Sequence, residues 1–156
     1  MKKTPEESKV IATHLVLPEH TNSLGTIFGG QLMAWMDIAA ATCAYRHGRS
    51  ICVTVWVDHL HFKSPVQLGH IVMMEAKITY VHISSMEIKV TVKSENPLSG
   101  EQLETCSAFF TFVAKGESGA AKIKVPQLEL TTPEEKQEFK NGHERRAIRL
   151  KNAKKN

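Results

Sequence analysis

Between Val53 and Val113 the chain adopts a two-residue periodicity and holds it through four successive runs, which constrains the fold more than any other feature. In Met86-Glu87-Ile88-Lys89-Val90-Thr91-Val92-Lys93 apolar side chains stand on even numbers and polar ones on odd. That is the pattern of a strand with one face on a core and one on solvent. Val72, Met74, Ala76, Ile78 and Tyr80 set the same alternation in the run from Ile71 to His82, and Val53 to Phe62 and Leu103 to Val113 complete the set. Asn96-Pro97-Leu98-Ser99-Gly100 reads as a hairpin connection, and links this short join antiparallel neighbours.

The elements around these strands carry their own signals. Lys9 to Leu17, rich in β-branched residues, reads as a first strand, and Pro18 to Gly25 as a loop punctuated by Pro, Asn, Ser and Gly. Gly29 to His47 has the composition of a helix, stopped by Gly48, whose apolar residues run nearly all the way round. Such a helix is expected to be enclosed by protein. Thr132-Pro133-Glu134-Glu135 is a capping box with Pro at the first helical position, and Arg145, Arg146, Arg149 and Lys151 end that helix in keeping with its dipole. The order is strand, long buried helix, four antiparallel strands, terminal helix. The economical packing is α+β, an antiparallel sheet wrapped around one long buried helix, with a C-terminal helix added.

Several function classes are disfavoured at once. Cys43, Cys52 and Cys106 make an odd number with no C-x-x-C pair, so neither a disulfide framework nor a zinc ribbon is indicated, and free thiols fit a reducing cytoplasm. Met1-Lys2-Lys3-Thr4-Pro5-Glu6-Glu7 lacks the apolar stretch of a secretion signal. The longest uncharged run, His20 to Met36, contains Asn, Gln, Ser, Thr and three glycines, unlike a membrane helix. With 156 residues, 42% hydrophobic and 23% charged, the chain has the makings of one globular domain. Its net charge of +4 is unevenly placed: residues 1–131 hold 12 basic and 12 acidic side chains, and residues 132–156 hold 8 and 4.

Asp37 is the only charged residue between Glu19 and Arg46, in the middle of the apolar helix. A lone carboxylate there needs a partner or a task, because burying an unpaired charge is costly. Its neighbours one turn away are Met33, Ala34, Ala40 and Ala41, none of which pairs with it. The alanines leave space beside the carboxylate for a ligand or another backbone; the alternative is a helix facing solvent along one narrow stripe on which Gln31, Asp37 and Thr42 are scattered. Ahead of the helix, Asn22-Ser23-Leu24-Gly25-Thr26-Ile27-Phe28-Gly29-Gly30 brings two glycines to its start. Open N–H groups at such a start, helped by the dipole, hydrogen-bond a ligand oxygen or a developing oxyanion. Gly-Gly before a helix also serves as a plain turn, and Asn22 as a plain loop residue.

Taken together, Pro18-Glu19-His20-Thr21-Asn22, Gly25-Thr26-Ile27-Phe28-Gly29-Gly30 and Met36-Asp37 resemble the signature of hotdog-fold acyl-CoA thioesterases, in the branch of the cytosolic acyl-CoA hydrolases. The likeness continues through Asp58-His59-Leu60-His61-Phe62 and Ser84-Ser85-Met86 to Phe110-Thr111-Phe112-Val113. It spans roughly residues 8–125, which makes these the hotdog domain and leaves 126–156 as a basic helical extension. The resemblance implies hydrolysis of acyl-CoA to free fatty acid and CoA, with no metal and no cofactor beyond the CoA of the substrate. It assigns Asp37 the catalytic carboxylate, as general base or nucleophile, and Asn22 the group that orients water or acyl carbonyl. Gly29 and Gly30 become the amides that polarise the carbonyl, and Ser84 and Ser85 a turn approaching the CoA nucleotide. It further implies a dimer of hotdogs in which Asn22 and Asp37 come from different protomers, and a trimer of such dimers. Geometry leans the same way, since Asp37 lies about 12 Å along the helix from Gly29 at 1.5 Å per residue. Thr26 and His70 depart from the family pattern, where Asp is common, and bear on substrate preference.

Other readings compete. His59 and His61 lie on one face of a strand, where i and i+2 imidazoles share a metal, but no further ligand recurs at a recognisable spacing. Gly116-Glu117-Ser118-Gly119 does not supply a nucleophile elbow. A non-catalytic acyl-CoA or nucleotide sensor on the same scaffold stands as the alternative function. The basic tail lacks aromatics among its cations, which argues against nucleic acid. Arg145, Arg146 or Arg149 near a CoA mouth is one reading of that tail, and a helix end serving dipole and solubility is the other.

Overall fold

The computed structural model describes residues 1–154, so the last two residues of the basic extension lie outside it. The elements in chain order are β1 (Lys2–Lys3), α1 (Pro5–Ser8), β2 (Val10–Leu15), a 3-10 turn (Pro18–His20), α2 (Gly29–Gly48) and β3 (Ile51–Phe62). There follow β4 (Ile71–Val81), β5 (Ser85–Glu95), β6 (Gln102–Lys115), β7 (Gln127–Leu128) and α3 (Pro133–Ala153). Five strands form one sheet in the order β2-β4-β5-β6-β3, with every pairing antiparallel. β1 and β7 make a separate parallel pair. The sheet wraps α2, as the order of elements implies. No helix among the described residues is long and apolar enough to cross a membrane.

The even-numbered face of β5 is the floor of the core. Met86, Ile88, Val90 and Val92 are all buried there, flanked by Val72, Met74, Ala76 and Ile78 of β4 and by Cys106, Ala108, Phe110 and Phe112 of β6. α2 lies on this floor through Leu32, Met36, Ala39, Ala40, Cys43 and Ala44, where the alanines let the helix axis approach the sheet. The single chain covers one side of α2, and Met33, Ile38 and Tyr45 stand exposed on the other. Asn96 Oδ1 closes the β5–β6 hairpin by accepting from the N–H groups of Leu98 and Ser99, and Gly100 takes the positive φ of 76° that the turn requires.

Bulges break the sequence parity in β3, β4 and β6, the last at Thr105. The alternation of β4 is expected to carry Tyr80 onto the core face, but a register shift between Ile78 and Tyr80 pairs Tyr80 with Glu87 on the outer face. A bulge adds one residue to one strand and so exchanges the faces beyond it. Tyr80 there meets Phe139 and His143 of α3, the latter through a 3.2 Å hydrogen bond between the phenol oxygen and Nδ1. In β3, shifts between Thr54 and Trp56 and between Asp58 and His61 act likewise, and His59 holds φ 55° within the second. His59 and His61 therefore do not form the regular i, i+2 pair that a shared metal needs.

α3 covers the outer face of β4 and β5. Thr132 caps it by accepting from the Glu135 N–H at 3.1 Å, and Glu135 reaches back to the Thr132 N–H at 3.3 Å, the capping box read from the sequence. Its closest approach is at Gly142, where a Cβ would stand 2.5 Å from Tyr80 Cβ and 2.9 Å from Glu87 Oε1.

Candidate functional site

The loop before α2 is organised by Asn22. Its Oδ1 accepts from the N–H groups of Leu24 and Thr26 at 2.9 and 3.3 Å, and its Nδ2 donates to Thr26 Oγ1 at 3.0 Å. Gly25 supplies the positive φ of 74° at the tip. The loop leads into α2 without a cap: Phe28 occupies the N-cap position, and no side chain accepts from the first turn. The N–H groups of Gly29 and Gly30 find no acceptor among the described residues. α3 begins with a Thr–Glu capping box, and at α1 the Glu7 carboxylate reaches back to the Thr4 N–H, whereas α2 starts with no side chain of either kind. A cavity of about 360 Å³ opens beside it, lined by Ile27, Gly29, Leu32, Phe62, Ser64 and Pro65.

Asp37 is half-buried on the flank of α2 that faces β3. Thr54 Oγ1 donates to its Oδ1 at 2.8 Å, and Oδ2 has no partner among the described residues. The partner that the helix itself lacks thus comes from the strand. Thr54 pairs in register with Phe112, a core-face residue, and so faces α2 while remaining exposed at the sheet edge. Sequence reasoning did not find Thr54, because alternation along a bulged edge strand does not say which side chains turn inward. No hydrogen bond joins Asn22 to Asp37 within the chain, so each is held separately.

Ser84 and Ser85 lie at the β4–β5 turn, where Ser84 O accepts from the Ala114 N–H at 2.8 Å and Ser85 O from the His82 N–H at 2.9 Å. Both line a cleft of about 260 Å³ on the outer face, together with Trp56, Lys122, Arg146 and Arg149. The tail arginines divide their roles. Arg145 does not line this cleft but turns onto Glu87, with Nε and Nη2 donating to the two carboxylate oxygens at 3.0 and 2.8 Å. Arg149 borders the cleft while donating to Asp58 and Glu87 at 3.2 and 3.3 Å. Arg146 borders it with no carboxylate partner among the described residues.

Glu87, only 1% exposed, was expected on a solvent face with its odd-numbered neighbours. Burial pushes its carboxyl up, but hydrogen bonds from Arg145 and Thr79 and the charges of Arg145 and Arg149 outweigh that and hold it below the usual carboxylate range. The available signal was in the tail: two arginines four apart, one turn after a glycine inside a helix.

Comparison with known proteins follows the same lines. Residues 24–101 match the family model described as Thioesterase superfamily. A Bacillus subtilis protein named uncharacterized acyl-CoA thioester hydrolase YkhA is 38% identical over 85% of this chain and 80% of its own length. Against the rat acetyl-coenzyme A thioesterase and the mouse acyl-coenzyme A thioesterase 11, 35% and 39% identical, the match takes 96% and 92% of this chain. The chain spans only about a quarter of those two relatives, 27% and 24%. Among solved structures, an apo-hexameric acyl-CoA thioesterase superposes with a TM-score of 0.93 at 41% identity, covering 98% of this chain and 97% of that one. An acyl-CoA hydrolase from Staphylococcus aureus, solved with butyryl-CoA, CoA and CoA disulfide, gives 0.89 at 30% identity over 99% and 96%. It was also solved as alanine mutants of an asparagine, an aspartate and a threonine, which follow one another at intervals of 15 and 17 residues. With the sheet order, the helix lying along the sheet and the uncapped helix start in place, these matches make one conclusion unavoidable: the chain belongs to the thioesterase superfamily and is built on the hotdog fold.

Proposed function

We propose that the protein hydrolyses acyl-CoA thioesters to a free fatty acid and CoA. The observation that carries this is Asp37: a carboxylate on an otherwise apolar helix, fixed through one oxygen by Thr54 and open at the other. An open, oriented carboxylate accepts a proton from water as that water attacks the thioester carbonyl, or attacks the carbonyl itself. The N–H groups of Gly29 and Gly30 stabilise the oxyanion of the tetrahedral intermediate, whose collapse breaks the C–S bond and releases CoA as thiol. Asn22 orients the water or the acyl carbonyl. The Asn–Asp–Thr intervals of 15 and 17 residues in the Staphylococcus aureus mutants recur in Asn22, Asp37 and Thr54, which supports this assignment and adds Thr54 to it.

The same reading places the site between protomers. Ile38 on α2 is 63% exposed and Val55 on the edge strand β3 is 51% exposed, with Met33, Tyr45, Val53 and Val57 around them. A long apolar edge strand invites pairing with another chain, and a second copy laid along β3 and α2 brings its Asn22 loop toward Asp37. The hexameric neighbour supports three such dimers per assembly. Ser84 and Ser85 then meet the nucleotide end of CoA. The proposed chemistry calls on no metal and no cofactor beyond CoA, residues 8–125 supply it with 126–156 as an extension, and the cytoplasm is its setting.

The test is thiol release from a panel of acyl-CoA thioesters. Asp37→Ala and Asn22→Ala are each expected to lower kcat by about 10²–10⁴-fold, the range for a positioned acid–base group, with folding intact. Full activity in either variant refutes the assignment, and tight acyl-CoA binding without turnover by the wild type makes the protein a sensor instead. Mixing the two inactive variants restores part of the activity if the site is shared, and failure despite confirmed subunit exchange refutes the shared site.

A further inference from the structure

α3 docks with more specificity than a solubilising tail needs. Its contact with the sheet is centred on a buried carboxylate, Glu87, whose two oxygens receive Arg145 at 2.8 and 3.0 Å, Arg149 at 3.3 Å and the Thr79 hydroxyl at 2.7 Å. Arg145 also lies over the Phe109 ring, 3.7 Å from its centroid, and Arg149 continues to Asp58. A buried charge tolerates such a position only with its partners in place, so this clasp admits one rotation of the helix about its axis. Arg146 follows Arg145 by about 100° of helical turn, given 3.6 residues per turn. Once Arg145 is tied to Glu87, the direction of Arg146 is set as well: into the cleft that holds Ser84, Ser85 and Lys122.

We propose that Arg146, aimed by the Glu87–Arg145–Arg149 clasp and aided by Lys122, binds a phosphate group of the CoA nucleotide in this cleft, and that Glu87 is thereby a positioning residue for substrate affinity. The proposal rests on the acyl-CoA reading above and adds a residue and a device to it. The cleft of about 260 Å³ has room for a phosphate group. Neither Arg146 nor Lys122 has a carboxylate partner among the described residues, whereas the other arginine bordering the cleft, Arg149, is neutralised by Asp58 and Glu87. A guanidinium held in advance offers phosphate a planar pair of donors at little further cost in conformational freedom, and Ser84 and Ser85 bring hydroxyls to the same cleft.

The experiment compares an acyl-CoA with the same acyl thioester of pantetheine, which lacks the nucleotide and its phosphates. Arg146→Ala is expected to raise KM for acyl-CoA roughly tenfold relative to KM for acyl-pantetheine, the size of one charge-assisted hydrogen bond at a partly open site, with kcat for acyl-CoA held. Glu87→Gln is expected to shift the same ratio in the same direction, whereas Lys140→Ala, on the exposed side of α3, leaves it unmoved. An unchanged ratio in Arg146→Ala overturns the proposal, as does a parallel rise for both substrates. Should the wild type hydrolyse no acyl-CoA, the proposed activity falls while this proposal is still decided by calorimetry with CoA itself. Equal CoA affinity in the wild type and Arg146→Ala overturns it.

Discussion

Gly142→Ala offers a prediction whose sign separates two descriptions of α3. In an unconstrained helix the change stabilises by about 1 kcal/mol, since alanine is the better helix former. At this position the new methyl stands 2.5 Å from Tyr80 Cβ, 2.9 Å from Glu87 Oε1 and 3.2 Å from Tyr80 Cγ. Tyr80 Cβ is tied to the backbone of an inner strand and has no rotamer by which to retreat, so the helix itself must move out. That movement lengthens the Arg145–Glu87 contacts as well. Overpacking of this kind costs about 1–3 kcal/mol, and set against the propensity gain of about 1 kcal/mol the net is a loss of up to roughly 2 kcal/mol. For a chain of this size each kcal/mol corresponds to about 2–4 °C, so Tm is expected to fall by up to roughly 8 °C and not to rise. Thermal and urea unfolding, run at one fixed protomer concentration because assembly contributes to the midpoint, measure the change. Faster proteolysis within residues 133–153 would locate it in α3. A variant more stable than the wild type by about 1 kcal/mol would refute the close docking.

Two further outcomes follow from the same contacts. Glu87 has its folded pKa below its unfolded one, so its stabilisation is full above the unfolded value and drains as pH falls through the folded value. Glu87→Gln, which leaves two arginines facing a neutral amide, should cost about 3–5 kcal/mol near neutral pH, with the gap to the wild type closing below about pH 4; equal pH profiles for the two proteins would contradict the clasp. At the proposed interface, Ile38→Asp should shift the protein toward monomer in sedimentation and lower kcat with it, and an intact, active oligomer would remove α2 from the contact.

Much of the fold was legible because composition and parity are local. The alternation of Met86 to Lys93 and the capping box at Thr132 report on their own neighbours, and both stand where the sequence puts them. The bulges in β3 and β4 leave no mark in composition, since an extra residue in a strand looks like any other. Tyr80 changes face for that reason, and Thr54 turns toward Asp37 unannounced. Glu87 was hidden differently. Along β5 it is indistinguishable from Lys89, and only the helix arriving from fifty residues downstream makes it a core residue. Of the site, Asp37 was conspicuous through its isolation and Asn22 through its motif. Within the chain the two stay apart, each in its own hydrogen bonds, and only the resemblance proposed that they meet across protomers.

The uneven charge of the sequence now has a structural reading that goes beyond the helix dipole. The acids of the first half of α3 meet bases of the sheet, Glu135 with Lys77 at 3.5 Å and Glu138 with Lys89 at 3.3 Å. The bases of the second half meet its acids, Arg145 with Glu87 and Arg149 with Asp58 and Glu87. A helix docked the other way round would set Glu135 and Glu138 toward Glu87 and Asp58, and the arginines toward the lysines. The partly exposed pairs contribute at most about 1 kcal/mol each to stability, yet reversing them all sets like charges against one another. The dipole favours the same order, acids leading and bases closing. Dipole and sheet thus select one orientation for α3, and Gly142, where the two halves meet, lets the helix sit close enough for both sets of pairs to form.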